Sequence, residues 1–244
     1  MARVFLTAEW RYLALLNYEI DPALLAARVP RDTELDLFQG KAFVSLVGFR
    51  FLNTRLRGIP VPFHRDFDEV NLRFYVRWCD SGVVKRGVVF IQEIVPRRAI
   101  AAIARWAYHE NYRALPMSHV VIDEGAGPRV EYRWRLGNCW NRLAVAATGA
   151  ASAMVEGSLE QFIAEHHWGY CAQPDGSTTE YHVAHPAWRV WDVANGEFSG
   201  DAEALYGPGF AAILNRPPDA TTLAEGSPVA VYTGQKLLSE LVIQ

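Results

Sequence analysis

Lysine is nearly absent from this 244-residue chain: of 24 basic side chains only Lys41, Lys85 and Lys236 are lysines, and the rest are arginines. Any chemistry that needs a neutral amine therefore has three residues to draw on. Cysteine is as sparse. Cys79, Cys139 and Cys171 are odd in number, far apart and without C-x-x-C spacing, which excludes a disulfide framework and a thiolate zinc site and fits a reducing compartment. No apolar run is long enough to cross a bilayer, and the N-terminus lacks a charged leader followed by an apolar stretch, so a cytoplasmic location is expected. The net charge is only -3 and no run of Lys or Arg occurs, which removes the electrostatic footprint for nucleic acid or anionic lipid. Also missing are G-x-G-x-x-G, G-x-x-x-x-G-K, G-x-S-x-G and H-E-x-x-H, the marks of dinucleotide, nucleoside-triphosphate, serine-hydrolase and zinc-protease sites. No cofactor is expected. The remaining partner class is a small-molecule ligand, and a homo-oligomer is compatible with the composition.

What is present is a large supply of core residues: half of the chain is hydrophobic and about a fifth is charged. Trp10 to Glu19 reads as a strand, and Asp21-Pro22 then provides an N-cap and first-turn proline for a short helix that Pro30 stops. Ala42 to Phe51 is a second strand, followed by a Gly58 to Pro62 loop. Between Glu69 and Cys79, Val70, Leu72, Phe74, Val76 and Trp78 alternate with Glu69, Asn71, Arg73, Tyr75 and Arg77, the clearest strand in the sequence. Gly87 to Val95 is apolar except for Gln92 and Glu93, as in a strand buried on both faces. A helix is expected from Pro96 to about Tyr112, a half-polar strand over Val130 to Leu136, and a helix capped by Ser158 that runs through His166 to Gly169. Late strands are expected over Tyr181 to Val193 and Val229 to Tyr232, with a short helix at Phe210 to Leu214. Strands outnumber helices and come in runs, which points to a β-rich α+β fold around an antiparallel sheet or barrel.

The polar residues of the Glu69 strand are the first candidate site. Glu69, Asn71 and Arg73 share one side, directly after Phe63-His64-Arg65-Asp66, so a carboxylate, an amide and guanidinium groups can converge. Alternation alone favours the plainer reading, a solvated face of an antiparallel sheet. Arg11 stands among Trp10, Tyr12 and Leu13, where a buried guanidinium needs a carboxylate or an anionic ligand. His182-x-x-His185 and His166-His167 lack the spacing of a ligand set, so no metal is expected, and His166 on an apolar helix face reads as a hydrogen-bonded core histidine.

The stretches Phe5-Leu-Thr-Ala-Glu-Trp-Arg11, Asn17-Tyr-Glu-Ile-Asp-Pro22, Val44-Ser-Leu-Val-Gly-Phe49, Phe63 to Val76 and Glu165-His-His-Trp-Gly-Tyr170 resemble the signature segments of the YqjF-like family of uncharacterised bacterial proteins. That family resembles the acetoacetate decarboxylase-like superfamily. The resemblance implies a single domain over residues 1–244, with a barrel or double sheet, flanking helices and a central cavity. It further implies Arg11 and Glu69 as the charged cavity residues; the reading built on this has Arg11 pair with an anionic group, Glu69 act as acid or base, and His64, Asn71, Arg73 and His119 orient the ligand. The superfamily's Schiff-base lysine and its neighbour fall by this resemblance on Met117 and Ser118, in Ala114-Leu-Pro-Met-Ser118, and neither can form an imine. The expectation is an enzyme acting on a small carboxylate or carbonyl compound without an imine; a non-catalytic binding or sensing protein is the alternative, and a scaffold whose inward charges satisfy one another stays open.

Overall fold

The computed structural model describes residues 2–80, 82–99, 101–102 and 110–237. Fifteen strands form one mixed sheet: β1 (Val4–Ile20), β2 (Glu34–Leu35), β3 (Ala42–Leu56), β4 (Ile59–Pro60), β5 (Phe67–Asp80), β6 (Val83–Val95), β7 (Tyr112–Ala114), β8 (Met117–Ile122), β9 (Arg129–Leu136), β10 (Cys139–Ala153), β11 (Trp168–Ala172), β12 (Thr178–Ala184), β13 (Arg189–Ser199), β14 (Ala220–Tyr232) and β15 (Gln235–Lys236). From β12 the hydrogen-bonded path runs through β11, β6, β5, β3 and β1 to β14, and β14 pairs back onto β12 at Val183↔Val231 and Ala184↔Ala230. Seven strands thus return on themselves as a ring. Beyond β14 the path continues into β13, β10, β9 and β8, and these fold back over the outside of β1, β3 and β5.

The two faces of β1, β3 and β5 therefore carry separate cores. Outside the ring, Leu16, Leu46, Leu72 and Phe74 pack with Tyr132, Trp134, Leu143 and Val145 of the overlying strands. Inside it, Val47, Phe49, Phe51, Phe67 and Tyr75 pack with Phe162 and Trp188. With both faces covered, the polar side of β5 is not a solvated sheet face: Glu69, Asn71, Arg73 and Tyr75 are all buried. Closure of the ring, a property of the whole chain, overrides the local alternation.

Several elements follow their sequence signals. Asp21 Oδ1 accepts from Ala23 N and starts two short 3-10 turns, Pro22–Leu24 and Ala26–Arg28. Ser158 caps the helix Leu159–Ala164 by accepting from Gln161 N. Other boundaries differ. Pro60 sits in the two-residue strand β4, which pairs with Arg55 and Leu56 and tightens what reads as plain loop. The Ser158 helix ends before Gly169, which lies in β11. A Cβ there would fall 2.1 Å from Tyr181 Cζ, so glycine is needed for that ring to cross the strand. Tyr181 to Val193 is two strands, parted at Pro186. Helix is present at residues 98–99 and 101–102, residues 103–109 lie outside the described ones, and Tyr112 is in β7. No helix among the described residues is long and apolar enough to cross a membrane.

Candidate active site

The ring encloses a cavity of about 210 Å³ to which all seven of its strands contribute, for example Trp10, Phe49, Glu69, Glu93, Trp168, Tyr181 and Val231. Strand register sets a polarity gradient along its wall. On the paired strands β3 and β5 the inward pairs run Phe51↔Phe67, Phe49↔Glu69, Val47↔Asn71 and Ser45↔Arg73, from aromatic to charged. β6 places Glu93 beside Asn71, and β7 places Tyr112 beside Glu93. The polar end is completed by Glu110 and by Tyr181 of β12.

Three glutamates in one cavity without an equal number of cations cannot all be ionised cheaply. Burial pushes Glu69 up to about 7; the charge of Glu110 adds to the rise, and hydrogen bonds from Asn71 (3.0 Å) and Tyr112 (3.3 Å) and the charge of Arg73 offset part of it. Burial also takes Glu110 up to about 7, against hydrogen bonds from Tyr181 and with Glu93. Glu93 is raised well above the ordinary carboxylate range by burial and then by the charges of Glu110 and Glu69. All three carboxyls are raised by their shared burial, which favours a proton within the trio near neutrality.

A second chain of groups reaches the cavity wall through His166. Burial takes its imidazole down to about 4, so the ring is neutral near pH 7. Its Nε2 faces Asp36 Oδ2 at 3.1 Å, and a carboxylate can only accept, which puts the proton on Nε2 and leaves Nδ1 an acceptor with no partner among the described residues. Arg86 holds the same Asp36 oxygen at 2.6 Å. The core-histidine reading is thus supported by a hydrogen bond, and the same residue also lines the cavity.

Of the residues expected at the site, Glu69, Asn71, Arg73 and His64 line the cavity, with His64 at its outer part, where its Nδ1 meets Pro62 O. Arg73 is 8 % exposed, and among the described residues it forms no ion pair and its buried Nε has no hydrogen-bond partner. Arg11 and His119 do not join them. β1 carries a bulge between Arg11 and Ala14 with Tyr12 at φ 53°, and before it the residues that face the ring interior are Ala8 and Trp10, after it Leu13 and Leu15. A one-residue slip exchanges the faces of a strand, so Arg11 points away from the cavity and pairs with Glu9 at 2.7 Å. His119 lies on β8 outside the ring, where Nδ1 meets Asp68 at 2.8 Å, and Asp68 is the outward neighbour of Glu69. Met117 also packs on the outer core, so the cavity residue of this region is Tyr112.

Among the described residues no lysine lines the cavity. Lys41 and Lys236 are exposed and pair with Glu19 and Asp175. Lys85 is largely buried, sandwiched between the rings of Trp78 and Trp168 (4.6 and 4.5 Å) and paired with Glu180 at 3.2 Å. Sequence reasoning passed over Glu93, Glu110, Tyr112 and Tyr181. The available signal was Glu93 itself, a charge inside a run that reads as buried on both faces.

A family model described as an uncharacterized conserved protein matches residues 7–229. The uncharacterized protein YqjF of Bacillus subtilis (strain 168) is 34% identical over 124 residues, which is 50% of this chain and 48% of that protein, so the match spans about half of the relative. Among solved structures, acetoacetate decarboxylase from Legionella pneumophila superposes with a TM-score of 0.67 at 14% identity, covering 98% of this chain and 90% of that one. An acetoacetate decarboxylase-like enzyme from Sphingomonas wittichii gives 0.66 at 13% identity, covering 96% and 94%. The enduracididine biosynthesis enzyme MppR complexed with pyruvate gives 0.65 at 11% identity, covering 98% and 91%. At such identities the likeness establishes the fold, which is acetoacetate decarboxylase-like, and leaves activity to be argued from the site.

Proposed function

The chain belongs to that family, DUF2071, and we propose that this member is a single-domain enzyme that moves a proton on a small carboxylate or carbonyl compound, without a lysine imine. The observation that carries this reading is Arg73: a buried guanidinium on the cavity wall with no ion pair among the described residues, four positions along the strand from a glutamate pushed up to about 7. A buried, unpaired charge is costly, and an anionic ligand is the natural complement. In this reading Arg73 takes the carboxylate of the ligand, and Asn71 and Tyr112 hold Glu69. Near pH 7 Glu69 divides between acid and base, the state suited to moving a proton on a carbon beside a carbonyl. An imine route lacks its amine, since no lysine lines the cavity among the described residues. The fold neighbours named for acetoacetate and pyruvate are consistent with a ligand of this class.

The test is exchange of the methyl protons of pyruvate in deuterated buffer, followed by NMR. Wild-type protein is expected to accelerate exchange, Glu69→Gln to abolish the acceleration while still binding, and Arg73→Met to weaken binding. Saturable binding that depends on Arg73 but brings no exchange would turn the reading to a non-catalytic carrier or sensor. Absence of both would remove the cavity from consideration.

A further inference from the structure

The same cavity has a second end that the proton chemistry does not use. Beyond Glu69, where the register turns from charged to aromatic, Trp10 meets Phe49 edge-on (5.2 Å, 66°) and Phe51 (5.8 Å, 79°), and Phe51 stacks on Phe67 (4.6 Å, 12°). The wall continues to Trp188, which lies 6.3 Å from Trp10 and stacks on His185 at 4.2 Å. These rings pack on one another and also line open space. The space is also too large for a ligand that uses only the polar end, because an apolar cavity of about 150 Å³ already accepts a benzene and this one measures about 210 Å³. Arg73 and His185 line the same cavity, and His185 stacks on Trp188 beside Trp10, which puts the cationic anchor and the ring wall in one space.

We propose that the ligand is a carboxylate bearing an aromatic substituent, with its acid group at Arg73 and its ring against Trp10, Phe49, Phe51 and Phe67. This rests on the reading of the cavity given above and adds the substituent. Aromatic rings meeting edge to face favour a further planar ring over a bare methyl, and the wall offers a ring both faces and edges.

The test compares pyruvate with phenylpyruvate, which share one 2-oxo acid head, by calorimetric titration of the full chain. Burying a ring of this size is expected to tighten binding about tenfold to a hundredfold. Val231→Phe, which narrows the cavity from β14, is expected to remove that advantage, and Phe51→Ala, which opens the ring wall, to reduce it. Should either variant fold poorly, the ratio measured on the wild type decides alone. Pyruvate bound through Arg73 with phenylpyruvate equal or weaker would overturn the aromatic assignment and leave the proton-transfer reading standing. Failure of both acids to bind would overturn the two together.

Discussion

Two glutamates on neighbouring parts of the ring are equally buried, at 1 % exposure each, and are treated in opposite ways. Glu180, on β12, receives Lys85 Nζ at 3.2 Å and Gln235 Nε2 at 2.9 Å. Glu93, on β6, faces the cavity with two further carboxyls, Glu69 and Glu110, and no cation is paired with it among the described residues. Burial costs both residues the same kind of desolvation, so the difference lies in the partner supplied. Where the chain needs only structure it supplies a cation, and where the cavity lies it leaves the charge to be met by a proton or a ligand. Glu131 marks the surface extreme: burial raises it, but Arg142 and Arg133 outweigh that and hold it below the ordinary range.

The contrast is sharpest if its paired half is broken. Lys85→Met leaves Glu180 buried with one donor and is expected to cost about 3–5 kcal/mol in urea denaturation, most of it recovered in the Lys85→Met/Glu180→Met double variant. A loss under 1 kcal/mol would mean that Gln235 and solvent suffice and that the two glutamates are not opposites.

The unpaired half is addressed by pH. A carboxyl raised in the folded state keeps its proton after the unfolded chain has lost its own, so its contribution is intact below about 4.5 and is lost as pH rises through about 7. His166 and His185, both taken down to about 4 by burial, run in the opposite sense between 4 and 6.5, so the wild-type profile alone does not isolate the trio. The difference between Glu110→Gln and wild type does. It is expected to move in favour of the variant by on the order of 3 kcal/mol between pH 4.5 and 8, read from denaturation midpoints across that range. A difference independent of pH would show that Glu110 titrates normally.

Smaller effects complete the series. Gly169→Ala drives a methyl into Tyr181 and shifts the phenol that donates to Glu110, for an expected loss of about 1–3 kcal/mol, checked by thermal unfolding. Arg142→Ala, on the exposed face, is expected to cost no more than about 1 kcal/mol despite two carboxylate partners; a cost matching that of Lys85→Met would erase the distinction between buried and surface pairs.

Much of the fold is legible because alternation and caps are local. The β5 pattern, the Asp21 and Ser158 caps and the β9 strand need only neighbouring residues to be read. β10 went unread because its run of alanines carries little strand propensity, and its pairing with β9 and β13 supplies what propensity does not. The site is less legible for a different reason: Glu69, Asn71 and Arg73 fall on one strand, but Glu93 and Tyr112 reach them through the pairing of β6 and β7 beside β5, and Tyr181 from β12 across the ring. The direction of Arg11 was hidden for a third. It depends on a bulge at Tyr12, a non-glycine residue at positive φ that no residue type announces.

The central claim is that the cavity keeps a carboxyl near its acid–base midpoint at neutrality. Its most direct test is a titration of protein labelled with carbon-13 at the glutamate side-chain carboxyls, followed by NMR from pH 3 to 9. The account predicts at least one resonance with a midpoint near 7 that is absent from Glu69→Gln. Titration of every glutamate within the ordinary range around 4.3 would contradict it.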